Sequence, residues 1–181
     1  TDDIVVIADI NGNEIDKVVY DDNMHFALLN DLKGVSLERI DFKRSSSDKT
    51  NWNSASANVG FGTPTYRNSQ YMQVQGTGTF SVEPEIFSPD NDGYQDVVAI
   101  NYAVDSPGLA GNITIYDSKG VLIRRLVKNE NLSTSGSYSW NGITEQNEKA
   151  PIGIYIIYFE TFSTSGDIQK HKLTCVLAGK L

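Results

Sequence analysis

The residues best suited to chemistry lie in one short acidic stretch that ends at Asp96. Its alternate positions carry oxygen-bearing groups, and a glycine in its middle permits a sharp turn. Calcium prefers roughly six to eight hard oxygen ligands held by such a turn. The pattern is that of an acidic calcium loop with serine in place of the first aspartate. The predicted ligands are the side chains of Ser88, Asp90, Asp92 and Asp96 and the backbone carbonyl of Tyr94.

A capped acidic turn that holds no ion explains the same residues. Aspartate side chains accept hydrogen bonds from backbone N–H groups in turns, and this stretch leads directly into the apolar run that begins at Val97. Replacing one carboxylate by serine weakens calcium binding, so we expect a structural Ca²⁺ site here to fill only at extracellular calcium concentrations. From the sequence, the ion site and the plain turn both remain open.

No constellation of catalytic residues accompanies this loop. His25 follows Asp21 and Asp22, and a histidine near two carboxylates could act as a general base or a metal ligand. The interpretation that His25 is an ordinary loop residue is favoured. His171 lies between two lysines on a strand that we expect to be exposed. No nucleophile elbow, paired zinc-binding histidines or glycine-rich phosphate loop is present. The sequence therefore predicts no enzymatic activity.

The composition favours an all-β chain and argues against nucleic-acid binding. The 181 residues include nine Tyr, seven Phe and 15 Gly, and the net charge is −8. Aromatic residues favour strands and glycine favours turns. A chain this acidic repels phosphate backbones, and no apolar run approaches the roughly 18 residues of a transmembrane helix. The single cysteine, Cys175, rules out an internal disulfide and is expected in the core.

Short apolar runs bounded by turn residues predict β-sandwich architecture. Two of these runs flank Asn11-Gly12, a strong hairpin signal. No amphipathic helix of three turns is predicted, and only residues 23–32 could form a short one. About seven strands follow residue 78 within about 100 residues, at the spacing of an Ig-like sandwich. In that second half the predicted strands cover residues 79–82, 97–104, 112–116, 121–123, 137–140, 153–162 and 168–177.

The two halves of the chain differ in character, which predicts two tandem Ig-like β-sandwich units. Residues 45–76 are rich in Ser, Asn, Gly and Thr without a sustained period, as in a long loop and linker. We place the boundary so that the units are 1–75 and 76–181. The first has few clear strands, such as Ser36–Phe42, so we predict that its opening strands are missing. Trp140 is expected in the core of the second unit.

The first unit carries a set of short motifs that resembles the closing segment of bacterial lamin-tail domains, an Ig-like family. Thr65 stands where glycine is usual in that family. The resemblance covers only the last strands and loop, and implies that strands from elsewhere complete the sandwich. The matching residues are Ser36-Leu37-Glu38-Arg39-Ile40, Asn51-Trp52, Gly60-Phe61-Gly62-Thr63-Pro64 and Asn68-Ser69.

The second unit resembles the FlgD-like Ig domain and the related gliding-motility-associated C-terminal domain. Units of this kind in tandem resemble exported surface proteins of the Bacteroidetes, many of which use type IX secretion. The resemblance implies a secreted or outer-surface location and no catalysis. The residues that carry it are Phe87-Ser88-Pro89-Asp90, Asp92-Gly93, Asp96, Ile113-Thr114-Ile115-Tyr116-Asp117, Gly120, Trp140-Asn141-Gly142 and Gly153-Ile154-Tyr155.

These observations predict a non-catalytic C-terminal binding or assembly module of a large exported surface protein. Its partner is expected to be a protein at the cell envelope or the upstream domains of the same protein. One alternative makes the last domain a secretion or surface-attachment signal for type IX secretion. Another makes the pair a carbohydrate-binding appendage of an upstream enzyme, with Trp52 as a residue on which a sugar could stack, although packing in the core or between loops is the favoured role for Trp52.

Overall fold

The computed structural model describes residues 3–71 and 78–179, and the chain divides into two compact units. The first unit comprises residues 1–74 together with two short later segments, 106–108 and 131–134, and the second comprises the rest. The described residues confirm the all-β prediction, because strands joined by turns and short 3-10 helices account for their regular structure. Among them no helix is long and apolar enough to cross a bilayer.

The first unit contains small antiparallel sheets. The hairpin predicted at Asn11-Gly12 is present, and Gly12 adopts a φ of 84° there. Residues 23–32, where a short helix could have formed, contain as their only helical element the end of one 3-10 turn, Asp22–Met24. Met24 and Phe26 are both buried, and this spacing of two suits an extended chain rather than a helix. The strands are β1 (Asp3–Ala8), which pairs with β2 (Glu14–Tyr20), and β3 (Leu37–Arg39), which pairs with β4 (Trp52–Ser54).

The strand β1 exposes apolar side chains on both of its faces. Ile4 and Val6 share one face with exposed fractions of 59% and 48%, and Val5 and Ile7 share the other with 51% and 57%. Within the described residues β1 pairs only with β2. A two-stranded hairpin by itself is marginally stable in water. The exposed apolar side chains of β1 are therefore available to pack against further strands.

A buried carboxylate organises the chain around β3 and β4. The Glu38 side chain is 3% exposed and accepts hydrogen bonds from Ser69 Oγ at 2.7 Å and from the Gln70 N–H at 3.1 Å. The Thr63 hydroxyl donates to its other oxygen. A buried charge without partners is strongly unfavourable. Glu38 therefore fixes the position of a loop segment that follows it by 25 to 32 residues.

Glu38→Gln should destabilise the first unit by about 2 kcal/mol, because the amide replaces one acceptor oxygen by a donor facing other donors. Urea denaturation followed by circular dichroism measures this loss. Glu14→Gln, at the exposed end of β2, is the matched control and should leave the midpoint unchanged. Equal midpoints for the two variants would contradict the role assigned to Glu38.

The second unit is an Ig-like β-sandwich of a three-stranded and a five-stranded sheet, built from residues 78–179 apart from the two segments assigned to the first unit. The sheet orders are β10-β7-β5 and β6-β12-β11-β8-β9, antiparallel except for the parallel pair β6–β12. All the strands predicted in this half are present, and the predicted bounds of β11 and β12 are confirmed. The strands are β5 (Thr79–Glu83), β6 (Ile86–Phe87), β7 (Val98–Ala103), β8 (Ala110–Asp117), β9 (Leu122–Asn131), β10 (Ser135–Trp140), β11 (Gly153–Phe162) and β12 (Ile168–Leu177).

Aromatic side chains from both sheets form the core of this sandwich. The Trp140 ring meets the Phe87 ring edge-on at 5.4 Å and the Tyr155 ring edge-on at 4.9 Å. Trp140 is 1% exposed, which confirms its predicted core position, and its Nε1 donates to the Ile143 carbonyl at 2.9 Å. Cys175 is also buried, and burial raises the pKa of its thiol to about 12. Cys175 is therefore a core residue and not a nucleophile.

Candidate functional site

The acidic loop, residues 88–97, joins two buried strand ends. Phe87 closes β6 and Val98 opens β7, and neither side chain is exposed to solvent. At the base of the loop the Ser88 N–H donates to the Gln95 carbonyl at 2.9 Å. This bond brings the two ends of the loop together, so the residues between them must curl back on themselves.

The curled backbone gathers the carboxylates of Asp90, Asp92 and Asp96, each of which offers an oxygen within 4.8 Å of the others. Asn91 and Gly93 take left-handed φ angles of 67° and 89°, which produce the curl. Asp96 braces it by accepting the Asn91 N–H at 2.5 Å and the Gly93 N–H at 2.9 Å. Three of the predicted ligand side chains therefore meet at one point.

Ser88 and Tyr94, the other predicted ligands, differ in environment. Ser88 is 2% exposed, and its Oγ has no hydrogen-bond partner among the described residues. A buried hydroxyl without a partner is unfavourable. The Tyr94 side chain is 61% exposed, which agrees with a role for its backbone alone, and its N–H donates to Asp92 Oδ1 at 2.9 Å.

The loop geometry is compatible both with a calcium site and with a capped acidic turn, the two possibilities that the sequence leaves open. Calcium lies about 2.3–2.6 Å from its oxygen ligands, so two ligands of one ion are separated by up to about 5 Å. The carboxylate spacing lies within that limit. The same carboxylates also accept backbone N–H groups, as in a capped turn. These roles are compatible, because each carboxylate oxygen has two lone pairs.

Gly142, which lies outside the acidic loop, packs closely against it. It adopts a φ of 73°, and a Cβ built on it would lie 2.9 Å from Pro89 Cγ and 2.9 Å from Leu177 Cδ1. Pro89 belongs to the loop and Leu177 ends β12. The glycine of the Trp140-Asn141-Gly142 motif is therefore required both for its backbone conformation and for close packing.

Gly142→Ala should destabilise the second unit more than Gly120→Ala. Gly120 has a similar φ of 82°, but no atom lies within 4 Å of the place that a Cβ would occupy, so its substitution incurs only backbone strain of about 1–2 kcal/mol. Gly142→Ala adds the overlap with Pro89 and Leu177, worth about 1–3 kcal/mol. Thermal unfolding of the two variants measures the difference, and equal losses would show that the packing is unimportant.

The contacts of His25 are not those of a catalytic histidine. Its Nδ1 lies 2.8 Å from the Ser54 Oγ, and Ser54 has no exposed surface through which a substrate could reach it. Asp21 instead forms an ion pair with Lys49 at 2.5 Å. Burial lowers the pKa of His25, while the charge of Asp22 acts in the opposite direction.

The prediction that His171 is exposed is wrong. Its ring stacks on the Phe80 ring with centroids 3.6 Å apart and planes 17° from parallel, and its pKa is lowered by burial. The neighbouring lysines are exposed, so the prediction holds for the strand and fails for this residue. Phe80 comes from a distant point in the chain, and no local pattern indicates this contact.

Comparison with protein families accounts for the second unit. Residues 81–175 match the model of the CHU_C Type IX secretion signal domain. The chain belongs to this family. The match spans just over half of the chain and includes the acidic loop, Trp140 and Gly142. The domain is non-catalytic, and its presence marks a secreted or cell-surface protein.

Two solved structures share some similarity with the chain. PorZ, an essential bacterial surface component of the type-IX secretion system of Porphyromonas gingivalis, matches with 18% identity over 55% of this chain, at a TM-score of 0.34. The chain spans 11% of the length of PorZ. CopC from Methylosinus trichosporium OB3b matches with 14% identity over 58% of this chain and 97% of its own, at a TM-score of 0.38. No curated protein sequence matched the chain.

Proposed function

We propose that the second unit directs the protein to which it belongs through the type IX secretion machinery to the cell surface. The family match over residues 81–175 carries this proposal. It favours the secretion-signal alternative over the general binding and assembly module that was our first prediction. The partner proposed is a protein of the secretion machinery, and the whole protein's own activity and ligands are not specified by this domain.

The matched range is a whole sandwich, from β5 to β12, and not a short linear motif. We therefore infer that the machinery recognises the folded surface of the domain. On this view the aromatic core matters indirectly: Trp140 holds the sheets together and thereby presents the surface residues in their positions. A variant that loses the fold should lose export even when every surface residue is retained.

An export assay tests this proposal. The reporter is a fluorescent protein that carries a signal peptide at its amino end and residues 1–181 at its carboxyl end, in a bacterium with type IX secretion. We expect it at the cell surface or in the medium. Trp140→Ala, which should cost about 3–5 kcal/mol, should abolish export, while Trp52→Ala in the first unit should not. Export of a fusion that lacks residues 78–181 would sink the proposal.

We also propose that the acidic loop binds Ca²⁺ as a structural ion. The convergence of Asp90, Asp92 and Asp96 and the unpartnered hydroxyl of Ser88 at the base of the same loop support it. The ion would neutralise part of the mutual repulsion of the three carboxylates and complete the hydrogen-bonding of the loop. Binding to the folded state alone would raise the stability of the second unit.

Calcium should raise the melting temperature of the second unit relative to a sample with chelator. At a concentration about five times the dissociation constant, the stabilisation is about 1 kcal/mol. Asp92→Asn should remove the response, whereas Glu148→Gln, which changes an exposed carboxylate outside the loop, should preserve it. A melting temperature that is identical with calcium and with chelator would leave only the capped turn.

For the first unit we infer the closing part of a lamin-tail-like Ig domain. The residues that carry the sequence resemblance meet in the structure: Glu38 binds Thr63 and Ser69, and Asn68 Nδ2 donates to the Arg39 carbonyl at 3.1 Å. The two exposed apolar faces of β1 support the view that further strands complete this sandwich. The effect of Glu38→Gln described above tests whether these motif residues act together. The FlgD-like kinship of the second unit stays a proposal of the same kind.

The carbohydrate-binding alternative also stays a prediction. It requires an aromatic ring presented flat to solvent. Trp52, its candidate, is partly buried, and its Nε1 donates to the Ser46 carbonyl at 2.8 Å. That contact favours a packing role for the indole within the first unit.

A further inference from the structure

The strand β12 has an unpaired edge along most of its length. On one side it pairs with β11 from end to end. On the other side β6 pairs only with Val176 and Leu177. Over residues 78–179 no other strand pairs with this side of β12, so residues 168–175 present a free row of backbone N–H and C=O groups.

A second free edge lies beside it. The strand β5 pairs with β7 and, within the described part of the second unit, has no strand on its other side. Although β5 and β12 belong to different sheets, the stacked rings of Phe80 and His171 show that they lie side by side. Phe80 also contacts the buried ring of Phe159 edge-on at 5.0 Å. The seam, by which we mean the line along which β5 and β12 run side by side, therefore borders the aromatic core.

A groove with a volume of about 470 Å³ follows this seam. It lies between the beginning of β5 and the first half of β12, where both strand edges are free. A strand added in this groove could pair with the free backbone groups of β12 and place its inward side chains in the groove. It is lined by Gly78, Thr79, Phe80, Lys170, His171, Lys172 and Leu173.

Two of the three polar side chains that β12 contributes to the groove, His171 and Lys172, have no charged or hydrogen-bonding partner within the described part of the chain. His171 Nε2 is buried and has no hydrogen-bond partner among the described residues. Lys172 forms no ion pair within residues 78–179, and Lys170 has only a 3.9 Å contact with Glu160. The groove therefore concentrates positive charge that is only partly neutralised, on a chain whose net charge is −8. Such a patch on an acidic protein complements negative charge on a partner.

We propose that this groove binds an extended acidic segment of a partner protein by strand addition to β12. The backbone of the segment would pair with residues 168–174, as in other edge-strand complexes. Lys170 and Lys172 lie on one face of the strand, so carboxylates at alternate positions of the segment would stand opposite them. The groove thus has a ligand chemistry of its own, whichever protein supplies the segment.

Charge distinguishes such a partner from a second copy of this chain. If two β12 strands paired antiparallel about a two-fold axis near His171, Lys170 of one copy would face Lys172 of the other. Like charges directly opposite each other destabilise a strand pair. The same lysines thus disfavour self-association, which is a common use of lysine on edge strands, while they favour an acidic strand. Protection of the edge without any ligand is the competing explanation, and it predicts that no peptide binds.

Titration of the full chain, labelled with ¹⁵N, by two synthetic peptides decides between these explanations. The acidic probe is acetyl-Thr-Glu-Val-Glu-Val-Thr-amide, and the neutral probe replaces both Glu by Gln. We expect the acidic peptide to shift the amide signals of residues 168–174 and 79–82 and to bind about tenfold more tightly than the neutral one at low salt. Lys172→Glu should abolish or reverse this preference.

Lys128→Glu is the matched control, because Lys128 is an exposed lysine on β9, the opposite edge of the same sheet. It should leave the preference for the acidic peptide intact. The proposal is overturned if neither peptide shifts the β12 signals at about 1 mM. It is equally overturned if Lys172→Glu and Lys128→Glu weaken binding to the same extent. Because the assay uses purified protein, its result is independent of whether the export assay succeeds.

Discussion

The contact of the Trp140 indole with Phe87 and Tyr155 joins the two sheets of the second unit, and the functional features of that unit depend on it. Phe87 ends the strand from which the acidic loop departs. Two residues beyond Trp140, Gly142 packs against Pro89 in that loop and against Leu177 at the end of β12. One short segment thus fixes the sheet packing, the loop and the last strand together.

Strand alternation and turn residues allowed much of the second unit to be predicted from the sequence. The bounds of β11 and β12 followed from long runs with period two. The predicted length of β9 was too short, because the strand continues past Ile123 through charged, exposed residues such as Arg125 and Lys128. In the acidic loop the convergence of carboxylates followed from their positions at 90, 92 and 96 around a glycine, since such a turn brings alternate side chains to one side.

Contacts between distant parts of the chain could not be predicted in this way. The burial of Glu38 depends on donors that follow it by 25 to 32 residues, and an acidic residue in an alternating strand otherwise indicates exposure. Likewise, Lys170 and Lys172 made His171 look solvated, and only the fold places Phe80 over its ring. The free edge of β12 is also a property of sheet order, which no local pattern encodes.

The second unit matches a family of type IX secretion signal domains, and the function we propose for it requires a sandwich that presents its recognition surface in a fixed geometry. The most direct measurement is the amount of reporter fused to residues 1–181 that reaches the surface in a parent strain and in a strain without the type IX translocon. Our account predicts surface reporter in the parent strain and its retention inside the translocon-deficient cells. Equal amounts at the surface of both strains would contradict it.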